Sequence, residues 1–418
     1  MTATETASRP GWDLSLTLSH GAIDQTLQEA MDRGFIPRSG QGTYAFGDDA
    51  KRTMVKIDAV VSPWRIVDGK DDRVTAKVAL KSGKITTDEQ VFGLSGVVFT
   101  VTAPLRLIGA DDPNESHVIL SLDFEDKQTV AVPSMKALAS QAPRADLVAL
   151  NAVLTDFFFD CLSGGAVDLL RVDRRTLGKG RKWLAARDMM ALTGRSEEVG
   201  AAGFAMASLN PAPRDRVLPA DIIAGVDGGA SFVISNEILT RVYLVPVLAA
   251  ALGVDRKQVI ARPGRPWSVA LSGAVQVGDA TVEKARALIQ KGKLQIQIDG
   301  QAKFWGGTQA GFRILSSYEA VVGGTVSDAK LAFRRTGRDL SKSVHVGGAA
   351  KAVTFGTTGL QDQRADETLS GVMERVAPVR LGKPFPLEFL SALQWPFGRS
   401  GRLRSAALPG SLNLSFEF

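Results

Sequence analysis

The chain has 418 residues, 44% hydrophobic and 22% charged, with a net charge of +6. That composition excludes a disordered chain, and the length suits two cores better than one. The only cysteine, Cys161, rules out an intramolecular disulfide and a cysteine-built zinc site.

The first residues, MTATETASRPGW, lack the basic stretch and apolar core of a secretory signal. The longest apolar run, 238–252, is interrupted by Arg241 and Pro246 and is shorter than the ~20 residues of a spanning helix. These features predict a soluble, cytoplasmic protein, with export by another route left open. Cys161 lies in the apolar run 157–162 and is expected to be a packed, inert thiol.

In chain order, a short strand is expected at 13–18. Ser19 follows as an N-cap, then a helix to about residue 33, with Ile23, Leu27, Ala30 and Met31 on one face. Strand patterns fill 44–124. The clearest is at 74–81, where Val74, Ala76, Val78 and Leu80 point one way and Thr75, Lys77, Ala79 and Lys81 the other. A second helix is predicted over 144–162. Its apolar stripe is Leu147, Leu150, Leu154, Phe157 and Phe158, and Ser163-Gly164-Gly165 ends it.

Segment 171–187 holds seven basic residues, Arg171, Arg174, Arg175, Lys179, Arg181, Lys182 and Arg187, against one acid, Asp173. Such a segment either meets phosphate-bearing head groups or nucleic acid, or is a solvated connecting loop. Helical composition at 184–192 and a Gly/Ala/Pro-rich stretch at 200–219 read as a crossing between halves.

The second half begins as the first does. A strand at 231–234 leads to an N-cap at Ser235 and a helix running to Gly253. Pro266-Trp267 then introduces alternating strands as Pro63-Trp64 does earlier, with further alternation at 294–298. A short helix at 387–393 and a strand at 411–418 close the chain. This weak internal repeat suggests two units, 1–199 and 200–418. The helix at 238–252 is apolar on almost every side, so it is either buried all round in a dry core or facing a cavity.

Motifs of catalysis are scarce. His20, His117 and His345 sit in no metal-binding spacing, and no GxSxG elbow occurs. Gly178-Lys179-Gly180 lacks the spacing of a phosphate loop, and 306–311 misses the dinucleotide pattern by one position. Acidic pairs such as Asp48-Asp49, Asp71-Asp72 and Asp111-Asp112 adjoin turns, where carboxylates cap loops. No metal, cofactor or catalytic residue is assigned. An active site assembled from scattered residues stays open.

Gly11-Trp12-Asp13, an amphipathic helix, the step Trp64-Arg65-Ile66-Val67-Asp68-Gly69 and the stretch at 231–235 together resemble the clostridial P-forty-seven family. Those proteins are accessory proteins related to the OrfX proteins encoded beside some botulinum neurotoxin genes. That family is similar to the tubular lipid-binding (TULIP) superfamily. The resemblance implies an α+β fold of two TULIP-like units, each a highly curved antiparallel β-sheet wrapped around a long helix. No binding residue is carried over from it.

The expected function is non-enzymatic binding or transport of a lipid or other apolar small molecule in a groove between sheet and helix. Leu150, Leu154, Phe158, Leu244, Val245 and Leu248 are the expected lining. Arg174, Arg175 and Lys179 are the residues for an anionic head group or an anionic membrane surface. The alternatives are a scaffold or accessory protein of a toxin or secretion-related complex, with protein partners from the same gene cluster, and an enzyme acting on an apolar substrate in the groove. Nucleic acid is the disfavoured partner.

Overall fold

The computed structural model describes residues 12–46, 53–112, 114–178, 182–185, 188–195, 200–209, 229–264, 266–278, 280–303, 309–323, 329–345, 385–399 and 401–417. Strand β1 (Leu14–Ser19) is buried along its whole length and turns directly into α1 (His20–Asp32). Ser19 Oγ accepts from the Ala22 N–H at 3.0 Å, meeting one of the donors that a helix start leaves open. Ala22, Ile23, Thr26, Leu27, Ala30 and Met31 form the buried stripe of α1.

Antiparallel strands follow: β2 (Ser39–Phe46), β3 (Thr53–Val61), β4 (Arg65–Lys70), β5 (Arg73–Thr86), β6 (Val91–Gly93), β7 (Val98–Ile108), β8 (His117–Asp123) and β9 (Val130–Pro133). Helix α2 (Arg144–Phe157) comes next, then β10 (Ala166–Asp173), α3 (Arg174–Gly178), β11 (Asp188–Arg195) and β12 (Gly200–Ala207). The main sheet runs β2-β3-β5-β7-β8-β10, with β4 and β6 on β5 and β9 on β7. The expected alternation holds: Val74, Ala76, Val78 and Leu80 are all buried. Register shifts at 60/61, 66/68 and 168/170 add local twist to this curled sheet. Helix α2 packs on β2 and β9, burying Leu150, Val153, Leu154 and Phe157, and continues as a π turn over Phe158–Leu162.

Two local expectations are overturned in this region. Residues 182–184 form a single 3-10 turn and 188–195 form β11, so the helical composition at 184–192 does not make a helix. Residues 200–207, expected to be part of a crossing between halves, form β12, which pairs with β11 along its whole length. The reason is packing: a Cβ at Gly203 would collide with the backbone of Leu16 and Thr17, so the alanine- and glycine-rich stretch lets strands approach closely. The rest of the expected crossing, 210–219, lies outside the described residues.

The second series starts with β13 (Ala230–Ile234) and α4 (Asn236–Leu239), where Ser235 Oγ accepts from the Ile238 N–H at 3.3 Å. A π turn at Thr240–Leu244 leads into α5 (Val245–Leu252). Pro246 has no N–H for the helical ladder, and it stands in the first turn of α5, where that donor is not needed. The π turn immediately before it absorbs the change of register. Gly253 then ends α5 at φ 65°, a left-handed conformation suited to glycine.

A meander follows: β14 (Val259–Arg262), β15 (Ser268–Leu271), β16 (Val275–Val277), β17 (Ala280–Gln290), β18 (Lys293–Lys303), β19 (Gln309–Gly323) and β20 (Lys330–His345). The chain ends with β21 (Phe385–Pro386), β22 (Leu393–Gln394), β23 (Arg402–Ala407) and β24 (Leu412–Glu417). The sheet order is β14-β15-β17-β18-β19-β20-β21, with β16 on β17, and every pairing described is antiparallel.

The described chain divides into two compact units. One holds the residues within Ser15–Phe232 with Ser391–Arg402 and Ser415–Phe418. The other holds those within Val233–Leu390 with Leu403–Leu414 and residues 12–14. The fold is the expected α+β one, antiparallel sheet curled with an apolar helix against it. Among the described residues no helix is long and apolar enough to cross a membrane.

Candidate functional site

In the first unit the expected lining residues of α2 and its π turn lie deep inside. Leu150, Leu154 and Phe158 are each 0% exposed. The Phe158 ring lies 5.1 Å from Phe99 and 5.7 Å from Trp64, and Trp64 meets Phe124 edge-on at 4.5 Å. Trp64 is placed by the strand after it: Asp24 Oδ1 on α1 accepts from the Ile66 N–H at 2.6 Å, fixing the start of β4. Burial raises the Asp24 carboxyl above its ordinary range, and the Ile66 hydrogen bond opposes this. The Trp64 indole Nε1 is buried and has no hydrogen-bond partner among the described residues.

The second unit repeats this theme with different residues. Leu244, Val245 and Leu248 are buried, and beside them Tyr243 stacks on Phe333 at 5.4 Å and meets Phe385 edge-on at 5.2 Å. The Tyr243 hydroxyl is buried without a partner among the described residues, and burial pushes its pKa well above the usual tyrosine range. The helix is not buried all round, the first of the two alternatives its composition allows. Arg241 and Ala250 are exposed, and Val242, Pro246 and Val247 are half-buried. Arg241 pairs with Glu237 at 2.9 Å and lies over the Trp267 ring at 5.1 Å, so one charge suffices to wet this side.

Of the three expected head-group residues, Arg174 and Arg175 are among the described residues. Arg174 begins α3 and reaches the loop between β7 and β8, donating to the carbonyls of Gly109 (3.2 Å), Asp112 (2.6 Å) and Ala110 (3.1 Å). Arg175 is exposed, and its backbone N–H donates to Asp173 Oδ1 at 2.9 Å. Lys179 lies outside the described residues. Hydrogen bonds from Thr176 hold the Asp173 carboxyl below its ordinary pKa. Cys161, expected to be packed, is only half-buried, with Sγ 3.4 Å from the Gln41 carbonyl and 3.5 Å from Tyr44 OH. The π turn rotates it out of the apolar stripe.

Among the described residues no group of three or more His, Cys, Asp or Glu could hold a metal. His20 is half-buried, and partial burial lowers its pKa to about 4, with Asp68 opposing.

Two clefts lie in the first unit, and none of the six expected lining residues borders either. One, of about 750 Å³, runs along α1 past Asp24, Gln28, Glu29, Trp64 and Arg399. The other, of about 390 Å³, is bordered by Phe35, Asp168, Arg171, Trp395, Pro396 and Phe397. Sequence reasoning missed it. A local signal is Trp395-Pro396-Phe397-Gly398, two aromatics in a turn sequence.

No protein-family model matches the chain, and no curated protein sequence matches it. Solved structures do. P47 from Clostridium botulinum A2 aligns over 98% of this chain and 97% of its own at TM-score 0.65 and 13% identity. P47 of Clostridium botulinum E1 aligns over 97% and 99% at TM-score 0.61 and 12% identity. A lipopolysaccharide binding protein aligns over 98% and 99% at TM-score 0.35 and 11% identity. The chain thus has the fold of the P47 proteins from end to end, as the resemblance in its sequence implied.

Proposed function

We propose that the protein is a non-enzymatic binder or carrier of a lipid or similar apolar molecule, held between sheet and helix. The observation that carries this reading is that two of the six buried polar atoms without a partner among the described residues, Trp64 Nε1 and the Tyr243 hydroxyl, belong to aromatic side chains of the two apolar interiors. The Trp64 ring lies 5.7 Å from that of Phe158 in the first unit, and the Tyr243 ring packs against Phe333 and Phe385 in the second. A buried donor without a partner costs about 1–3 kcal/mol, and such groups are normally met by water or by a ligand. An amphiphile supplies both needs, a chain gaining roughly 0.8 kcal/mol per buried methylene and a head that accepts the hydrogen bond. Separation of Leu150, Leu154 and Phe158, or of Leu244, Val245 and Leu248, from the facing sheet would open the space.

Native mass spectrometry of the purified full chain tests this. A co-purifying lipid mass, reduced when Trp64 is replaced by Phe, supports the carrier. A clean apo mass, together with assembly only on adding a protein partner, would replace it with the scaffold reading.

A further inference from the structure

The bulge in β10 is where the smaller cleft begins. Between Asp168 and Leu170 the register shifts, so Leu169 and Leu170 are both buried and Asp168 and Arg171 emerge on one outward face. Their charged atoms are 3.8 Å apart, beyond direct hydrogen-bond distance, and each side chain is 46% exposed. β22 pairs with β10 through Arg171↔Gln394 and sets Trp395, Pro396 and Phe397 alongside the pair.

Phe397 has φ 61°, a left-handed backbone that a bulky residue rarely adopts. It is held there by α1's end. The Arg33 guanidinium lies 4.7 Å over its ring and donates to its carbonyl at 3.2 Å. Glu29 fixes Arg33 at 2.7 Å and Arg399 at 2.7 Å, on either side of the strained residue. Phe35 faces Phe397 at 5.8 Å between ring centroids, yet remains 61% exposed. The result is a walled cleft with apolar rings on one side and one acid and one base side by side on the other.

We propose that this cleft binds a zwitterionic head group of the phosphocholine type. Its quaternary ammonium lies against the Asp168 carboxylate and the open face of Phe35, and its phosphate against Arg171. The charges select for this chemistry. A lone cation is repelled by Arg171 and a lone anion by Asp168, whereas a ligand bearing both signs satisfies both. Aromatic rings attract a methylated ammonium through their faces, and Phe offers no polar atom to compete. Burial raises the Asp168 carboxyl above its usual range, with Arg171 opposing, and an ammonium would add to that opposition.

This site does not rest on lipid carriage in the interior, because a soluble head group alone would fill it. Free phosphocholine and a phosphatidylcholine bilayer share the recognised chemistry, so the test has an arm for each. Calorimetric titration of the full chain would use phosphocholine and dodecylphosphocholine below its micelle concentration. Dodecyltrimethylammonium and dodecyl sulfate serve as single-charge comparisons, and phosphatidylcholine vesicles are tested by flotation. One site per chain is expected for the phosphocholine compounds. Asp168→Asn, Arg171→Gln and Phe35→Ala should each weaken it tenfold or more. All three side chains are partly or largely exposed, and circular dichroism checks that the variants fold. Binding of the free compound alone would mark a soluble ligand; vesicle binding lost in the same variants would mark a bilayer. Equal binding of the single-charge amphiphiles, unchanged affinity in all three variants, or no binding in either arm would overturn the proposal.

Discussion

Arg399 Nη2 lies 2.7 Å from Glu29 Oε2, joining positions 370 apart in the chain. Glu29 also receives Arg33 at 2.7 Å, and Arg399 donates to the Gln25 carbonyl at 3.1 Å. One carboxylate on α1 therefore anchors the segment that follows β22.

Glu29→Gln should release both arginines at once. Glu29 and Arg399 are each 23% exposed, so the loss should exceed the ~0–1 kcal/mol of an exposed pair. About 1–2 kcal/mol is expected in urea unfolding, with tenfold weaker phosphocholine binding because Phe397 is no longer pinned.

Gly69 closes the tryptophan step that resembles the P-forty-seven pattern, and its role is steric. A Cβ there would come within 2.8 Å of the Thr193 Cβ on β11. Gly69→Ala should cost about 1–3 kcal/mol by overpacking, measured by denaturant unfolding. Gly253→Ala would instead test backbone conformation at φ 65°, and about 1 kcal/mol is expected there.

Leu248 is 1% exposed, so Leu248→Trp must displace its neighbours in the ligand-free protein. A loss of about 1–3 kcal/mol is expected, together with loss of fluorescent fatty-acid uptake by the second unit. Full stability with unaltered uptake would place the ligand elsewhere.

His20 should make the protein acid-sensitive over a defined range. Its folded pKa, about 4, lies below the ordinary 6.5 because burial disfavours the charged ring. Above pH 6.5 the ring is neutral in both states and costs nothing. As pH falls from there toward 4, the unfolded chain takes up a proton that the folded one resists, so stability declines. At ~1.4 kcal/mol per pH unit the decline is at most ~3.5 kcal/mol, and solvent reaching the half-buried ring makes it smaller. His20→Asn should flatten unfolding free energy across this window.

Arg174 and Arg175 should separate in their effects. Arg174→Gln removes donors to three backbone carbonyls and should lower stability by about 1–3 kcal/mol. Arg175→Gln, at an exposed position, should leave the melting temperature unchanged. If the segment meets anionic membranes, only Arg175→Gln would reduce liposome binding without destabilising the protein.

The sequence by itself determined what depends on neighbours in the chain. Ser19 and Ser235 cap helices because a side-chain oxygen meets an N–H three positions on. Val74 to Leu80 alternate because a strand turns every second side chain to the core. Gly253 ends a helix because no other residue takes that backbone angle as readily. Only the tertiary structure decided that the glycine- and alanine-rich 200–207 is a strand, since close approach to Leu16 and Thr17 outweighs its weak strand propensity. Arg174 was legible as a charge but not as a donor to the loop at 109–112, because those carbonyls are more than 60 positions away. The smaller cleft was the least legible feature. Phe35, Asp168, Arg171 and Phe397 come together through a bulge, one two-residue strand pairing and a shared carboxylate, and none of these leaves a periodic trace in sequence.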